Sequence, residues 1–385
     1  MNVVLDRDPH PSRAGEVLRA VHARPGITRS EMASQLALSS GTASDAVARL
    51  VAARQLSEGV PPSTGARGRP TRTLLPHPQG PLVVVAAIAH EDWQVEAIEL
   101  GGGIVAQLGA RHDRDPSRVL PAIADSLAAV WSEYSARVRS FAISVPGTVS
   151  GTRLVQAANL GWSDVELAVV RPPQAAGLPL TACNDATYSA IGELARGAAA
   201  GSASSLHLFM DSGIGGALVD GGRVTTGAHG MAGEFGHMPF GPRRSLCRCG
   251  AHGCWNTELD GAALAQALGQ DAPTDEVTFS RSVLADAQAG DRRARAAADH
   301  VAAALGRGTA GLVNATDVEL VVLGGVAADL LRTAPDQLRR AYREGLMQTL
   351  ADQPPELVAG ALGDRGPLVG AMEAAFEPIL ARPRM

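Results

Sequence analysis

The stretch on which the fold assignment rests lies near the middle of the chain and reads Met231-Ala-Gly-Glu-Phe-Gly-His237, then, ten residues after that histidine, Cys247-Arg-Cys-Gly-Ala-His-Gly-Cys254. Zinc takes four ligands at tetrahedral corners, and cysteine sulfur and histidine nitrogen are its usual structural ligands. The spacing predicts a structural Zn²⁺ site with the ligands His237, Cys247, Cys249 and Cys254. His252 is a competing ligand inside the tight loop, and three cysteines buried together without a metal are the simpler alternative.

A carboxylate precedes the histidine of this site by three residues. The Glu234 and His237 spacing brings a carboxylate close to a metal-bound imidazole. We therefore expect the metal to brace one wall of a polar pocket.

Length and composition limit the class of protein. The chain has 385 residues, enough for two or three domains, and it is 45% hydrophobic but only 3% aromatic, which is typical of globular proteins. It has no apolar run long enough to span a membrane, and its N-terminus lacks a signal-peptide pattern. We therefore expect a cytoplasmic protein without a membrane partner. Clustered thiols in such a chain favour a metal over disulfides.

Charge is distributed unevenly along the chain. Residues 1–80 contain ten Arg and six Asp or Glu, a net charge of +4, whereas the remainder contains 24 and 33, a net charge of −9. All 34 basic residues are arginine. A basic N-terminal module on an acidic chain indicates a polyanionic partner for that module, although a solvated basic face is common.

The N-terminal residues have a helix-turn-helix pattern. Apolar residues recur at helical spacing before Pro25-Gly26, and Thr28-Arg-Ser-Glu31 then has the form of a capping box that starts a second helix. A short turn and a new cap lead into a third helix. Three small helices of an ordinary bundle would give the same pattern, but the basic segment after the third helix favours a helix-turn-helix unit.

In a helix-turn-helix unit the third helix enters the major groove of DNA. Its predicted contact residues here are Ser40, Thr42, Ser44, Asp45 and Arg49. Residues 56–75 then read as two short strands around a Pro/Gly-rich loop, the wing that often accompanies such a unit. That loop carries Arg67 and Arg69, which can lie in a narrow minor groove unless the segment is only a flexible linker. The pattern predicts a winged helix-turn-helix domain at 1–75 and a linker at 76–81.

From residue 82 onward the pattern is that of an α/β protein. Strands are expected at 82–88, 93–100 and 103–107, then a helix at 119–138, a strand at 140–145 and a polar loop to residue 162. A strand at 178–183 delivers Asn184 and Asp185 to its C-terminal end, where ligands bind in α/β sheets. Such a pair can hold hydroxyl groups or act as a base, and a plain helix cap is the equally simple alternative.

The second half repeats this pattern. A strand at 206–210 precedes the glycine-rich turn 211–216, and further helices start at residue 261 and span 291–314. The remaining elements are a strand at 318–323 and helices at 326–333, 341–347 and 370–380. We therefore expect a duplicated α/β unit over 82–385, with a cleft between two lobes whose boundary lies near 195–205.

On these motifs the chain resembles the ROK family of repressors, open reading frames and kinases. The motifs that carry the resemblance are Gly233-Glu-Phe-Gly-His237, the cysteine stretch, Asn184-Asp185, Asp211-Ser-Gly-Ile-Gly-Gly216 and Val321-Val-Leu-Gly-Gly325. The resemblance implies a two-lobed actin/hexokinase-like (ribonuclease H-like) domain, here behind a small winged helix-turn-helix. It also implies a sugar or sugar-derivative effector, whose contacts would be Asn159, Asn184, Asp185, Glu234, His237 and the Asn256 position. Of these, His237 would use one ring nitrogen for zinc and the other for the sugar.

Two departures from the family pattern decide the expected activity. Family kinases carry Asp-x-Gly-Gly-Thr after the first strand, where this chain has Ala87-Ile-Ala89-His-Glu91, which lacks the glycines and adds a carboxylate where phosphate would sit. Asn256 replaces a usual Glu, so a sugar-binding carboxylate has become an amide. We therefore expect no catalytic residues and no enzyme activity.

The leading hypothesis is a transcription regulator, more precisely a repressor. It would bind a double-stranded operator as a homodimer or homotetramer and respond to a sugar in the zinc-braced cleft. An ATP-dependent sugar kinase, and a ligand-independent DNA-binding regulator with a degenerate pocket, are the alternatives.

Overall fold

The N-terminal module is built from three helices and a two-stranded ribbon. In the computed structural model, which describes residues 12–59 and 72–384, α1 is Arg13–Ala23, α2 is Arg29–Gln35 and α3 is Ser40–Ala52. Ser12 and Ser39 cap α1 and α3, and the Thr28–Glu31 capping box predicted for α2 is confirmed. The antiparallel strands β1 (Leu56–Gly59) and β2 (Thr73–Pro76) form the ribbon. Residues 77–81 then lead to the next strand.

The first lobe is a five-stranded sheet flanked by helices. Its strands, in the order β10-β6-β3-β4-β5, form an antiparallel meander of β3, β4 and β5, with β6 and β10 parallel to β3. A separate small sheet of β7, β8 and β9 comes after β6. The bounds are β3 Leu82–Ile88, β4 Asp92–Glu99, β5 Ile104–Arg111, α4 Pro116–Tyr134, β6 Val138–Val145, β7 Thr148–Ser150, β8 Arg153–Ala157, β9 Trp162–Glu166, β10 Leu180–Asn184 and α5 Asp185–Arg196.

The second lobe repeats this topology. Its sheet has the order β13-β12-β11-β14-β15, again an antiparallel meander of three strands followed by two parallel ones. The strands are β11 Ser205–Met210, β12 Ile214–Asp220, β13 Arg223–Val224, β14 Leu320–Gly325 and β15 Glu356–Ala359. The helices are α6 Gly261–Leu268, α7 Glu276–Gln288, α8 Arg292–Thr316, α9 Val326–Thr333, α10 Pro335–Gly345, α11 Gln348–Ala351 and α12 Gly366–Ala381. The duplicated α/β fold predicted from the sequence is thereby confirmed.

The last helix returns to the first lobe. α12 packs along α5 and against β3 and β6, and the Ser140 hydroxyl donates to the Ala375 carbonyl oxygen (2.7 Å). The core of the N-terminal module, α12 and one face of the first-lobe sheet form one continuous apolar cluster, with Leu18, Val85 and Phe376 fully buried in it. The N-terminal module therefore packs directly on the first lobe. No helix in the described part of the chain has the length and apolar character of a membrane span.

Several predicted elements differ from the observed ones. The helix expected at 119–138 ends at Tyr134, because residues 135–137 turn into β6. The polar loop before residue 162 contains β7 and β8, and the turn predicted at 211–216 ends at Gly213, after which β12 begins.

The later helices also differ in part from the expected ones. The helix expected at 341–347 is α10, which starts at Pro335, a residue suited to the first helical turn because it lacks an N–H donor. α7 is an additional helix that the sequence pattern does not predict. Two of its five buried residues, Glu276 and Ser280, are polar, so its buried face lacks a continuous apolar stripe.

Candidate functional site

Four metal-ligand side chains meet beside the cleft. His237 ends a short 3₁₀ helix, Phe235–His237, and the three cysteines lie in the loop after it. Their ligand atoms all lie within 4.8 Å of one another. Cys249 Sγ is 3.7 Å from Cys254 Sγ, and Cys247 Sγ is 3.8 Å from His237 Nδ1. The predicted ligand set is thus assembled in space, while His252 is exposed and lies outside it.

The backbone around the cysteines explains this geometry. Cys247 N donates to the Ala251 carbonyl oxygen (2.8 Å) and Gly250 N donates to the Cys247 carbonyl oxygen (2.9 Å), which closes a tight turn. Gly250 (φ +94°) and Gly253 (φ +77°) adopt left-handed backbone conformations that suit glycine. These turns aim the sulfur atoms at one point.

The donor set fits a tetrahedral zinc ion. Two sulfurs bound at about 2.3 Å in a tetrahedral site lie roughly 3.8 Å apart, close to the observed separation. Burial raises the pKa of Cys254 to about 12, and burial also raises the pKa of Cys247. A cation bound among them would favour the thiolate form of these sulfurs.

His237 faces two ways. Its Nδ1 points to the sulfur cluster, whereas its Nε2 lies 3.7 Å from Glu234 Oε2. The His237 side chain is 33% exposed, toward a polar cavity between the lobes. One imidazole ring thus joins the metal cluster to the cleft.

The polar cavity lies where the ends of the two sheets face each other. The six predicted effector contacts all line it, namely Asn159, Asn184, Asp185, Glu234, His237 and Asn256. Asn184 and Asp185 stand at the C-terminal end of β10 and the start of α5, as the strand-end rule predicts. Cys249 also lines this cavity, so the cluster of His237 and the three cysteines forms part of its wall.

Three of the six residues also hold the protein itself together. Asn184 Oδ1 caps α5 by accepting from Ala186 N (2.9 Å), and its Nδ2 donates to the Gly147 carbonyl oxygen (3.0 Å). Asn159 Nδ2 donates to Ser212 Oγ (3.1 Å). Asn256 Oδ1 accepts from Ile214 N (2.7 Å), which leaves its Nδ2 donor for a ligand. The capping role of Asn184 is therefore observed, and its contact with a ligand stays a prediction.

Three carboxyl groups, those of Asp185, Asp211 and Glu234, make this cavity acidic. Glu234 Oε1 accepts from the Thr148 hydroxyl (2.8 Å). Burial, reinforced by the charge of Glu234, raises the pKa of Asp185 to about 6. Burial and the charge of Asp185 raise the pKa of Asp211 to about 7. Among the residues that line the cavity in the described structure, none is Arg or Lys.

The predicted site residues leave out four polar residues of this cavity: Thr148, Gln156, Asp211 and Ser212. Asp211 directly follows the last residue of β11, so the rule that selected Asp185 could have found it. Thr148 and Gln156 carry no comparable signal, because they lie on β7 and β8 of the small sheet that reads as a loop. Ser212 lies in the glycine-rich turn after β11, which the sequence predicts without assigning it a contact.

A second cavity, of about 330 Å³, extends from Asp185 and Asp211 between the lobes. Its wall includes Ala87, Ala89 and Glu91, the altered loop after β3. Glu91 accepts from Arg111 Nη2 (3.2 Å), which also lies 3.8 Å from Asp275 of the opposite lobe. A side chain with a negative charge therefore occupies the end of β3 at this cavity.

None of the predicted DNA-contact residues of α3 is buried. Ser40, Thr42, Asp45 and Arg49 are exposed or half-buried, while Ser44 accepts a long hydrogen bond from Arg29 Nη1 (3.4 Å). Arg29 and Arg72 both bind the Glu58 carboxylate of β1. Arg67 and Arg69 lie outside the described residues, so their place in the wing stays a prediction.

Comparison with known proteins gives consistent results. A family model described as the ROK family matches residues 98–377. A glucokinase of Halalkalibacterium halodurans is 29% identical over 230 residues, which is 56% of this chain and 69% of that protein. A putative xylose repressor of Caldicellulosiruptor sp. is 32% identical over 257 residues, 63% of each chain.

The fold is also that of a solved regulator. The crystal structure of a ROK family transcriptional regulator, a homologue of the E. coli Mlc protein, superposes with a TM-score of 0.73 at 22% identity. The superposition covers 95% of this chain and 96% of that one, and so includes the N-terminal module. At this identity the likeness concerns the fold.

Proposed function

The chain belongs to the ROK family, and we propose that it is a DNA-binding transcription regulator, of the repressor type, whose operator affinity responds to a sugar or sugar derivative in the cleft. One observation carries the proposal: a module of three helices and a two-stranded ribbon, with exposed polar residues on α3, is packed on a two-lobed domain whose cleft is polar and lined by the metal-ligand cluster. The fold of the Mlc-homologous regulator and the relationship to a putative xylose repressor support it.

The metal of the cluster is proposed to be Zn²⁺, held by His237, Cys247, Cys249 and Cys254. Bound there, zinc would neutralise the thiolates and hold the loop in one conformation. The chain's own contribution is the orientation of the His237 ring: with Nδ1 on the metal, the Nε2–H group would donate a hydrogen bond to a sugar hydroxyl oxygen.

The effector is proposed to be a neutral or cationic sugar. Asp185, Glu234 and Asn256 would bind its hydroxyls, with Asn159 and Asn184 holding the cavity walls. Three carboxylates line the cavity, and none of its described lining residues is Arg or Lys. The cavity would therefore repel an anionic ligand.

A sugar kinase is the second candidate, because a glucokinase is among the relatives and Asp185 stands where a base would act. Against it, the described lining of the cavity that phosphates would have to enter contains six carboxylates, Glu91 and Asp211 among them, but two arginines, Arg111 and Arg281. Phosphoryl transfer depends on positioning and on neutralising developing charge, so this arrangement disfavours catalysis. A regulator that binds DNA without any ligand is the third candidate, motivated by the amide at Asn256.

The test uses isothermal calorimetry with D-glucose, D-xylose, D-glucosamine and glucose 6-phosphate, together with a coupled assay for sugar-dependent ATP turnover. We expect at least one of the first three to bind and glucose 6-phosphate to fail, because of the carboxylate lining. We expect no sugar-dependent turnover of ATP. Turnover above background would favour the kinase, and absence of binding by all sugars would favour the ligand-independent regulator.

DNA binding by α3 is tested with Arg49→Ala. We expect its affinity for an operator, selected from random duplexes by the wild-type protein, to fall on the order of tenfold or more, because a guanidinium is lost from the groove-facing helix. Fluorescence anisotropy measures this at several salt concentrations, and Arg69→Ala should also flatten the salt dependence. Arg340→Ala, on the remote helix α10, is the matched control. Unchanged affinity of Arg49→Ala would exclude this face of α3 from the interface.

A regulator of this kind binds operators with two-fold symmetry as a homodimer or homotetramer. The self-association is part of the proposal, and sedimentation of the wild-type protein with and without operator measures it.

A further inference from the structure

One helix connects the cavity to the N-terminal module. α5 begins at Asp185, which lines the cavity, and ends at Arg196, which contacts α1. Its 12 residues span about 18 Å. The two ends of a single rigid element therefore lie at the two places that a sugar-responsive regulator must connect.

At the far end Arg196 lies in a buried polar cluster. Its Nη2 donates to the His22 carbonyl oxygen (3.2 Å) and its Nη1 donates to the Gly101 carbonyl oxygen (3.0 Å). Its Nε donates to the carboxylate of Glu373 on α12. The guanidinium group thus ties α1, the β4–β5 turn and α12 together.

The His22 side chain completes this cluster. Its Nδ1 accepts from Gly101 N (2.9 Å), and its Nε2 lies 3.3 Å from Glu373 Oε1 and 2.9 Å from Arg196 Nη2. Burial alone would raise the pKa of Glu373, but the hydrogen bond from His22 and the charge of Arg196 outweigh it and lower that pKa to about 2. The carboxylate is therefore held ionised between its two partners.

α12 moves with α5 because the two helices touch backbone to backbone. A Cβ atom on Gly370 would lie 1.6 Å from the Tyr188 carbonyl oxygen, and one on Gly192 would lie 2.8 Å from the Gly366 carbonyl oxygen. Closely packed helices of this kind have no room to slide or rotate independently. The same α12 carries Glu377, whose two oxygens accept from both Nη atoms of Arg19 on α1 (2.7 and 2.8 Å). The N-terminal module is thus held by α5 and α12 together.

α5 is also attached to the second lobe. The buried carboxylate of Glu193 accepts from the backbone N–H groups of Ala361 (3.0 Å) and Leu362 (2.9 Å), which come after β15. The same carboxylate accepts from Ala198 N within the first lobe (2.7 Å), so it links the two lobes. A change in the angle between the lobes therefore acts on α5 directly.

We propose that the α5–α12 pair transmits occupation of the cavity to the DNA-binding module through the cluster of Arg196, His22 and Glu373. A ligand that engages Asp185 and draws the lobes together displaces this helix pair, and the cluster carries the displacement into α1. Arg196 is thus a coupling residue that contacts neither sugar nor DNA. The inference rests on the proposed function and adds the route by which the two sites communicate.

The test uses Arg196→Gln in the full-length protein, with the selected operator and whichever of D-glucose or D-xylose binds the wild type. Coupling between two ligands typically changes an affinity by about 5–150-fold. We expect the ratio of operator Kd values with and without the sugar to have such a size in the wild type and to fall close to 1 in Arg196→Gln. The sugar Kd, measured by calorimetry without DNA, should change by less than about threefold, because the side chain lies at the far end of α5.

Two further variants separate coupling from damage to the fold. Arg13→Gln removes an exposed arginine from the same helix α1 and should keep the wild-type ratio. His22→Gln disrupts the same cluster from the α1 side. Its ratio of operator Kd values with and without the sugar should also fall close to 1. Deuterium uptake of residues 13–23 should respond to the sugar in the wild type and stop responding in both cluster variants.

If Arg196→Gln binds sugar and operator and keeps the wild-type ratio of operator Kd values, the coupling route through Arg196 is wrong. The proposed regulator function is then unaffected. Absence of any sugar effect on the wild type instead overturns the proposed function, and the route falls with it. If Arg196→Gln does not fold, the same decision rests on His22→Gln and on the deuterium uptake.

Discussion

Replacing Cys249 by Ser is expected to abolish stoichiometric metal binding and to unfold the loop that carries His237. The three sulfurs and one nitrogen lie within 4.8 Å of one another, so a missing sulfur leaves an incomplete tetrahedron and two buried thiols without a cation. Structural zinc sites supply roughly 10–16 kcal/mol of apparent binding free energy in small domains. We therefore expect the zinc content to fall from about one equivalent per chain to near zero and the thermal midpoint to fall by many degrees.

The chain supplies its own control for this change. Cys183, the remaining cysteine, lies on β10 away from the cluster, so Cys183→Ser should keep its zinc. Mass spectrometry of the metal content and calorimetric unfolding make the comparison, and a chelator applied to the wild type should reproduce the Cys249→Ser midpoint. Full zinc content and an unaltered midpoint in Cys249→Ser would refute the ligand assignment.

Loss of the metal should reach the cavity as well. Cys249 lines it, and His237 is oriented by the cluster on one ring nitrogen while the other faces Glu234. The metal would thus act on recognition, because ring orientation decides which hydroxyl can be bound. Sugar affinity should fall in Cys249→Ser together with metal content.

The metal cluster and the strand-end residues could be predicted because their signals are local. The cysteine spacing allows few geometries, and Asn184-Asp185 directly follows an apolar strand. The capping box at Thr28 and Glu31 is likewise decided within four residues. In each case the chemistry and the backbone geometry are set by neighbours in the sequence.

The features that escaped prediction are set by distant contacts. The small sheet of β7 to β9 is short and its strands alternate little, so it reads as a loop. The return of α12 to the first lobe depends on Gly370 fitting against Tyr188, a contact between residues that lie far apart in the sequence. The packing of the N-terminal module on the first lobe depends on His22, Arg196 and Glu373, which no local pattern brings together.

The other large expected effect concerns Asp211. Burial and the neighbouring Asp185 raise the pKa of Asp211 from an ordinary value of about 3.9 to about 7. The folded protein therefore holds this proton more tightly than the unfolded chain does. Stability should fall as the pH rises from about 4 through about 7, and the loss should stay constant above that.

Asp211→Asn removes this charge and should stabilise the protein at high pH. We expect the free energy of unfolding to rise by roughly 1–3 kcal/mol at pH 8. This is less than the full pKa shift of Asp211 implies, because its carboxyl group is only partly shielded from water in the cleft. The measurement is the difference in thermal midpoint between Asp211→Asn and the wild type from pH 4 to pH 9, with Asp125→Asn on the outer face of α4 as the control.

The sign of the pH dependence is the decisive readout, because the amide could alter packing at every pH. The difference should be close to zero at pH 4, grow through pH 5 to 7 and level off above, whereas a difference that is constant or decreasing with pH would contradict a raised pKa of Asp211. The same behaviour bears on recognition. A carboxyl group that is partly protonated near pH 7 can donate a hydrogen bond to a sugar oxygen, while in its ionised form it repels phosphate. Asp211 thus favours the binding of an uncharged ligand over the transfer of a phosphoryl group.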